Sequence, residues 1–117
     1  MANKFEGEIA LSAKTLGLFY HKLAVPYGSW NRKTIFLHYN PFDSFILNEG
    51  KFIAMEMKSS SSHSSFPISN VKVHQVKGLQ EVEDNGGWGY LVINQRYKRK
   101  LKAWFIGVAN WKAVVEY

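Results

Sequence analysis

The chain has 117 residues, 46% hydrophobic and 15% aromatic, with no cysteine and a net charge of +6. This length and composition suit one globular domain over residues 1–117 rather than a disordered chain, and the missing cysteines exclude a disulfide scaffold or a cysteine-ligated zinc centre. An excess of 15 Lys and Arg over 9 Asp and Glu favours a polyanionic partner, because neutralising phosphates releases condensed counterions.

Residues 1–8 carry two acids and no apolar run, so they do not resemble a secretory signal. No uncharged stretch approaches the roughly 18 residues of a membrane span. The expectation is a soluble, cytoplasmic protein with no membrane partner.

Residues 5–23 read as a helix, because Phe5, Ile9, Ala13, Leu16 and Tyr20 recur at helical steps of three or four. Pro26, Gly28, Ser29 and Asn31 give residues 25–33 loop chemistry. The run TIFLHY makes residues 34–39 a strand, which Asn40-Pro41 interrupts. Strands over 42–47 and 52–57 meet at Glu49-Gly50, a plausible tight turn. Six serines and one histidine make residues 59–65 a loop. Phe66-Pro67-Ile68 returns to the interior. Ser69 or Asn70 then caps a helix over about residues 71–83, which Gly86-Gly87 ends. Residues 88–95 read as a buried strand, 96–100 as a basic turn and 101–108 as a further strand; 111–117 fit either strand or short helix. The order α-β-β-β-α-β-β belongs to an α/β (α+β) domain with a mixed central sheet flanked by helices.

A turn centred on Glu49-Gly50 opposes Leu47 to Phe52, Phe45 to Ala54 and Asp43 to Glu56, and alternation brings Lys58 to the same face. Ser44, Ile46, Ile53 and Met55 go to the other, mostly apolar side. Two opposed carboxylates repel unless a divalent cation lies between them. Such a cation activates water for phosphodiester attack and a nearby ammonium stabilises the developing charge. As ordinary hairpin charges the three residues need no such role, but here they sit inside apolar strands.

Beyond Glu56-Met57-Lys58 come Ser65-Phe66-Pro67-Ile68-Ser69-Asn70 and then His74-Gln75. Together they resemble the RecU-type Holliday junction resolvases of the PD-(D/E)XK nuclease superfamily. Those proteins carry an acidic-x-Lys triplet, a polar loop, a Ser-Phe-Pro element and a His-Gln on the next helix. The spacing from Asp43 to Glu56 and the opening Phe5-Glu6…Ile9 are also similar, so the resemblance covers roughly residues 5–94. It departs at Asn40-Pro41-Phe42-Asp43 and after Gln95, and the short chain resembles a phage or minimal version of the family.

The resemblance implies a restriction-endonuclease-like core and a homodimeric endonuclease. Such an enzyme resolves four-way junctions by paired symmetric nicks, in the host cytoplasm if viral. Asp43 and Glu56 would bind Mg²⁺, with Mn²⁺ able to substitute, and Glu6 would complete the metal shell, with Glu8 as the alternative. Lys58 would position water or stabilise charge. Gln75 would point toward the centre; a satisfied core amide is its other reading. A nuclease for flaps, single strands or mismatches, and a non-catalytic DNA-binding accessory, are the rival functions.

His21, His38, His63 and His74 lack metal-ligand spacing. His74 is a candidate DNA contact, beside Lys14, Lys22, Arg32 and Lys33. Arg96, Lys98, Arg99 and Lys100 form a basic run, either a solvated hairpin tip or a phosphate track on which Tyr97 stacks a base. Tyr27 and Trp30 are candidate wedges. Trp88, Trp104 and Trp111 are expected in the core.

Overall fold

The computed structural model describes residues 4–24, 27–37, 39–61, 66–97 and 100–115. It opens with α1 (Lys4–Thr15), followed by the strands β1 (Phe19–Lys22), β2 (Tyr27–Trp30), β3 (Lys33–Phe36), β4 (Ser44–Asn48) and β5 (Lys51–Ser60). A 3₁₀ turn (Ile68–Asn70) leads into α2 (Val73–Asp84). Then come β6 (Trp88–Tyr97), β7 (Lys100–Gly107) and α3 (Val108–Val114). The main sheet has the order β1-β4-β5-β6-β7; β2 and β3 form a separate hairpin. Among the described residues only β5 and β6 run parallel, joined by the α2 crossover, so the sheet is mixed as expected. Among the described residues no helix is long and apolar enough to cross a membrane.

Alternation along the strands divides the core between two faces. Met55, Met57 and Val92 pack with Phe5 of α1 on one side. Ala54, Leu91 and Ile93 pack with Val76 and Leu79 of α2 and with Val108 and Trp111 of α3 on the other. Hydrophobic burial at about 25 cal/mol per Å² drives both.

The β4–β5 hairpin has the expected register, with Leu47 opposite Phe52 and Phe45 opposite Ala54. Glu49 and Gly50 hold φ of 51° and 79°, which makes the turn tight.

Several expectations fail for local reasons. The first helix stops at Thr15, because Gly17 takes a φ of 72° and the Leu18 N–H closes on the Ala13 carbonyl at 2.8 Å. Phe19–Lys22 then pairs with β4, whose open edge outweighs the helical periodicity. Residues 25–33 are not simply loop: Trp30 and Lys33 are bridged by Asn31 and Arg32 at φ of 49° and 62°, the backbone of a two-residue hairpin. Neither Ser69 nor Asn70 caps α2; both lie in the 3₁₀ turn, and the Gln75 side chain accepts the Lys72 N–H at 2.8 Å instead. Trp88 and Trp104 are 40% and 51% exposed, because β6 begins at the sheet's rim and β7 is its edge; only Trp111 is buried.

The radius of gyration is 15.0 Å, above the about 13 Å of a compact domain this long.

Candidate functional site

The site forms where β4 ends beside the middle of β5. Asp43 stands one residue outside β4, and its N–H donates to the Met55 carbonyl at 3.0 Å. The regular ladder therefore stops at Ser44 opposite Met55. Past that point the Asp43 carboxylate Oδ2 accepts the Met57 N–H at 2.9 Å. Its carboxyl also hydrogen-bonds that of Glu56. Sequence alternation brings the two acids together even though the last rung slips.

Glu56 is buried, and the Lys58 Nζ lies 3.7 Å from its Oε1. Burial first, and then the Asp43 carboxylate, push the Glu56 carboxyl up to about 8 against the pull of Lys58. Asp43 is raised too, chiefly by burial, while the Met57 N–H, the Glu56 contact and Lys58 hold it down. Without a counter-ion the pair shares a proton near neutral pH. A buried and a half-buried carboxylate that repel unless something positive lies between them have the chemistry of donors to a hard divalent cation. Among the described residues no three His, Asp or Glu side chains converge on one point.

A pocket of about 250 Å³ opens over the pair. Its walls are Tyr27 and Phe36 of the hairpin, Tyr39 and Asn40 of the following connector, and His74 and Gln75 of α2. Gln75 thus reaches the same pocket as Asp43 and Glu56, although its Oε1 is occupied in closing the helix start. Helix and connector meet closely: a Cβ at Gly78 would stand 2.6 Å from the Pro41 carbonyl carbon. Only glycine lets α2 lie against the segment that delivers Asp43. Tyr39 escaped sequence reasoning, having been read as the end of a strand; its ring stacks on His74 with centroids 4.0 Å apart.

Other candidates lie apart from this nucleus. Glu6 is held by Lys22, Nζ to Oε2 at 2.8 Å, at the β1 side of the sheet, yet its charge is still felt at Asp43. Glu8 pairs with Arg96 of β6. Lys22 and Arg96 are therefore committed to carboxylates. Lys14 is exposed in the last turn of α1, and Arg32 and Lys33 are exposed at the hairpin tip. Lys100 opens β7, whereas His38, His63, Lys98 and Arg99 lie outside the described residues. His21 tilts against Phe45 at 5.6 Å.

The Holliday junction resolvase RecU of Bacillus pumilus is 36% identical over 45 residues, 38% of this chain and 22% of that protein. The protein of the same name from Oceanobacillus iheyensis is also 36% identical over 45 residues, 23% of its own length. The aligned stretch thus spans less than a quarter of either relative. The fold is similar to that of Hjc, a Holliday junction resolvase from Archaeoglobus fulgidus. The TM-score is 0.59 at 17% identity, over 92% of this chain and 78% of that one. The α+β core with a mixed sheet flanked by helices expected from the sequence is therefore the fold observed, and it is shared with that protein. Residues 29–116 match the family RecU, recombination protein U, and the chain belongs to that family.

Proposed function

We propose that the chain is a divalent-metal-dependent endonuclease that resolves four-way DNA junctions, with residues 1–117 acting as one nuclease domain. The observation that carries the reading is the contact of half-buried Asp43 with buried Glu56, with Lys58 beside it. A sheet gains nothing from two opposed ionised acids, and a divalent cation between them would offset a repulsion that Lys58 only partly relieves. The relatives named above, described as junction resolvases, point to the substrate.

Asp43 and Glu56 would hold Mg²⁺, with Mn²⁺ as a substitute, and Glu6 would join through water once released from Lys22. When bound, the cation would lower the pKa of a coordinated water and offset charge on the scissile phosphate. The Met57 N–H fixes Asp43, so one ligand is oriented before metal arrives. Lys58 lies on the face that the phosphate would approach and offsets negative charge as the P–O bond breaks. Gln75 lines the same pocket and orients the nucleotide through its amide. Lys14, Arg32, Lys33 and the basic stretch through Lys98, Arg99 and Lys100 would follow the phosphate backbones, and His74 would touch the nucleotide at the cut. Lys22 and Arg96 would serve chiefly to hold Glu6 and Glu8.

Paired nicks need two centres, so the working enzyme is proposed to be a homodimer, whose two-fold axis matches that of a four-way junction. Its place of work would be the cytoplasm, that of the host if the protein is viral.

The test is cleavage of a labelled four-way junction, beside linear duplex and a flap, with and without Mg²⁺. Symmetric paired nicks on the junction alone support the reading. Equal cutting of all three substrates removes its junction specificity, and junction binding without metal-dependent cutting leaves a DNA-binding accessory.

A further inference from the structure

The hairpin and the carboxylate pair are linked by a row of rings. Tyr27 meets Phe36 edge-on at 5.6 Å, Phe36 meets Tyr39 at 4.7 Å, and Tyr39 lies over His74 at 4.0 Å with 34° between planes. Three of these rings are open to solvent, Tyr39 the most at 63%. A contiguous exposed aromatic patch on a soluble domain marks a binding surface. This one ends at the pocket above Asp43 and Glu56.

The polar groups at the pocket's edge are complementary. Gln75 uses its Oε1 on the Lys72 N–H, which turns its amide N–H₂ toward other acceptors. Asn40 uses its Nδ2 on the Ala24 carbonyl at 2.6 Å, which leaves its carbonyl oxygen as an acceptor. Aromatic walls, one donor amide and one acceptor amide are the chemistry of a nucleobase site, where a flat neutral ring stacks and its edge is read. At about 250 Å³ the pocket has room for one such ring system.

We propose that the pocket framed by Tyr39, His74, Asn40 and Gln75 takes one unpaired nucleobase next to the phosphate that is cut. The inference rests on the nuclease reading and deepens it. Freeing a base costs least where the duplex is already interrupted, so the pocket favours branch points over continuous duplex without reading sequence strongly. Tyr39 supplies the stacking face and His74 backs it, so both are positioning residues for the nucleotide, distinct in role from the acids below.

The experiment uses the full chain and four-way junctions carrying 2-aminopurine singly at each nucleotide flanking the cut, with Ca²⁺ in place of Mg²⁺. Binding is followed separately by the anisotropy of a dye on one arm. The expected result is a change in 2-aminopurine emission confined to one or two adjacent positions. Tyr39→Ala abolishes it, and Tyr39→Phe and His74→Phe retain it, since a planar ring suffices. In Mg²⁺, Tyr39→Ala raises KM about tenfold, the loss of roughly one stacking contact, with kcat changed much less. Tight binding with no responding position would overturn the inference while leaving the nuclease reading intact. A His74→Phe variant as impaired as His74→Ala would overturn it as well. No binding by anisotropy would remove the nuclease reading and this inference with it.

Discussion

The side chain of Asp43, rather than a strand carbonyl, accepts the Met57 N–H at 2.9 Å. One carboxylate thereby closes the sheet where β4 stops and meets Glu56 at the same time. Structural and chemical roles are joined in a single residue, and substitutions should separate them.

Asp43→Asn keeps an oxygen acceptor for the Met57 N–H, whereas Asp43→Ala leaves that part-buried donor unsatisfied. Cleavage is expected to fall at least about a hundredfold in both. Urea unfolding should find the alanine variant less stable than the asparagine variant by about 1–3 kcal/mol. Equal stability of the two would mean that the Met57 bond contributes nothing.

The shared proton makes stability depend on pH. Glu56 is raised from 4.5 to about 8, and Asp43 is raised as well, so the folded chain binds protons more tightly than the unfolded one. The stabilisation is complete below the ordinary glutamate value and is lost as pH rises through about 8. In EDTA the melting temperature should drop between pH 6 and 9 by on the order of 10 °C, roughly 2–3 kcal/mol for a domain of this size. Mg²⁺ should remove most of that drop, because metal takes the proton's place. A melting temperature independent of pH in EDTA would contradict the proton-sharing pair.

How far these features were legible varies with their origin. The β4–β5 register and the meeting of Asp43 with Glu56 follow from period-two alternation around a Glu-Gly turn, so local sequence contained them. The break at Gly17 was hidden because Leu16 and Tyr20 continue a helical spacing by coincidence, while an open edge of β4 recruits Phe19–Lys22 as a strand. The Asn31-Arg32 turn lacks the usual glycine and so reads as loop. Trp88 and Trp104 looked like core because large aromatics usually are, but strand order decides exposure, and that order is non-local. The Tyr39–His74 stack and the Lys22–Glu6 and Arg96–Glu8 pairs join distant segments, and no spacing rule reaches them.

The two candidate helix acids should behave differently. Glu6 is near enough to be felt by Asp43, whereas Glu8 is occupied by Arg96. Glu6→Gln should raise the Mg²⁺ concentration giving half-maximal cleavage about tenfold, about one kcal/mol or slightly more of metal affinity. Glu8→Gln should leave it unchanged. The reverse pattern in a metal titration would move the third ligand to Glu8.

Gly78 sets the distance between α2 and the connector carrying Asp43. A methyl group there meets the Pro41 backbone, which has no flexible side chain to yield. Gly78→Ala should cost about 1–3 kcal/mol in chemical unfolding. It should also lower cleavage more than that stability loss alone accounts for, because Asp43 shifts with Pro41.

The most direct measurement is single-turnover cleavage of an end-labelled four-way junction at saturating protein in Mg²⁺, comparing wild type with Glu56→Gln. Gel shift run alongside reports binding. The carboxylate-pair account predicts paired nicks by wild type, a rate at least about a hundredfold lower for the variant, and junction affinity unchanged within about threefold. Cutting by Glu56→Gln at the wild-type rate would contradict it and remove the Asp43–Glu56 pair as the cutting centre.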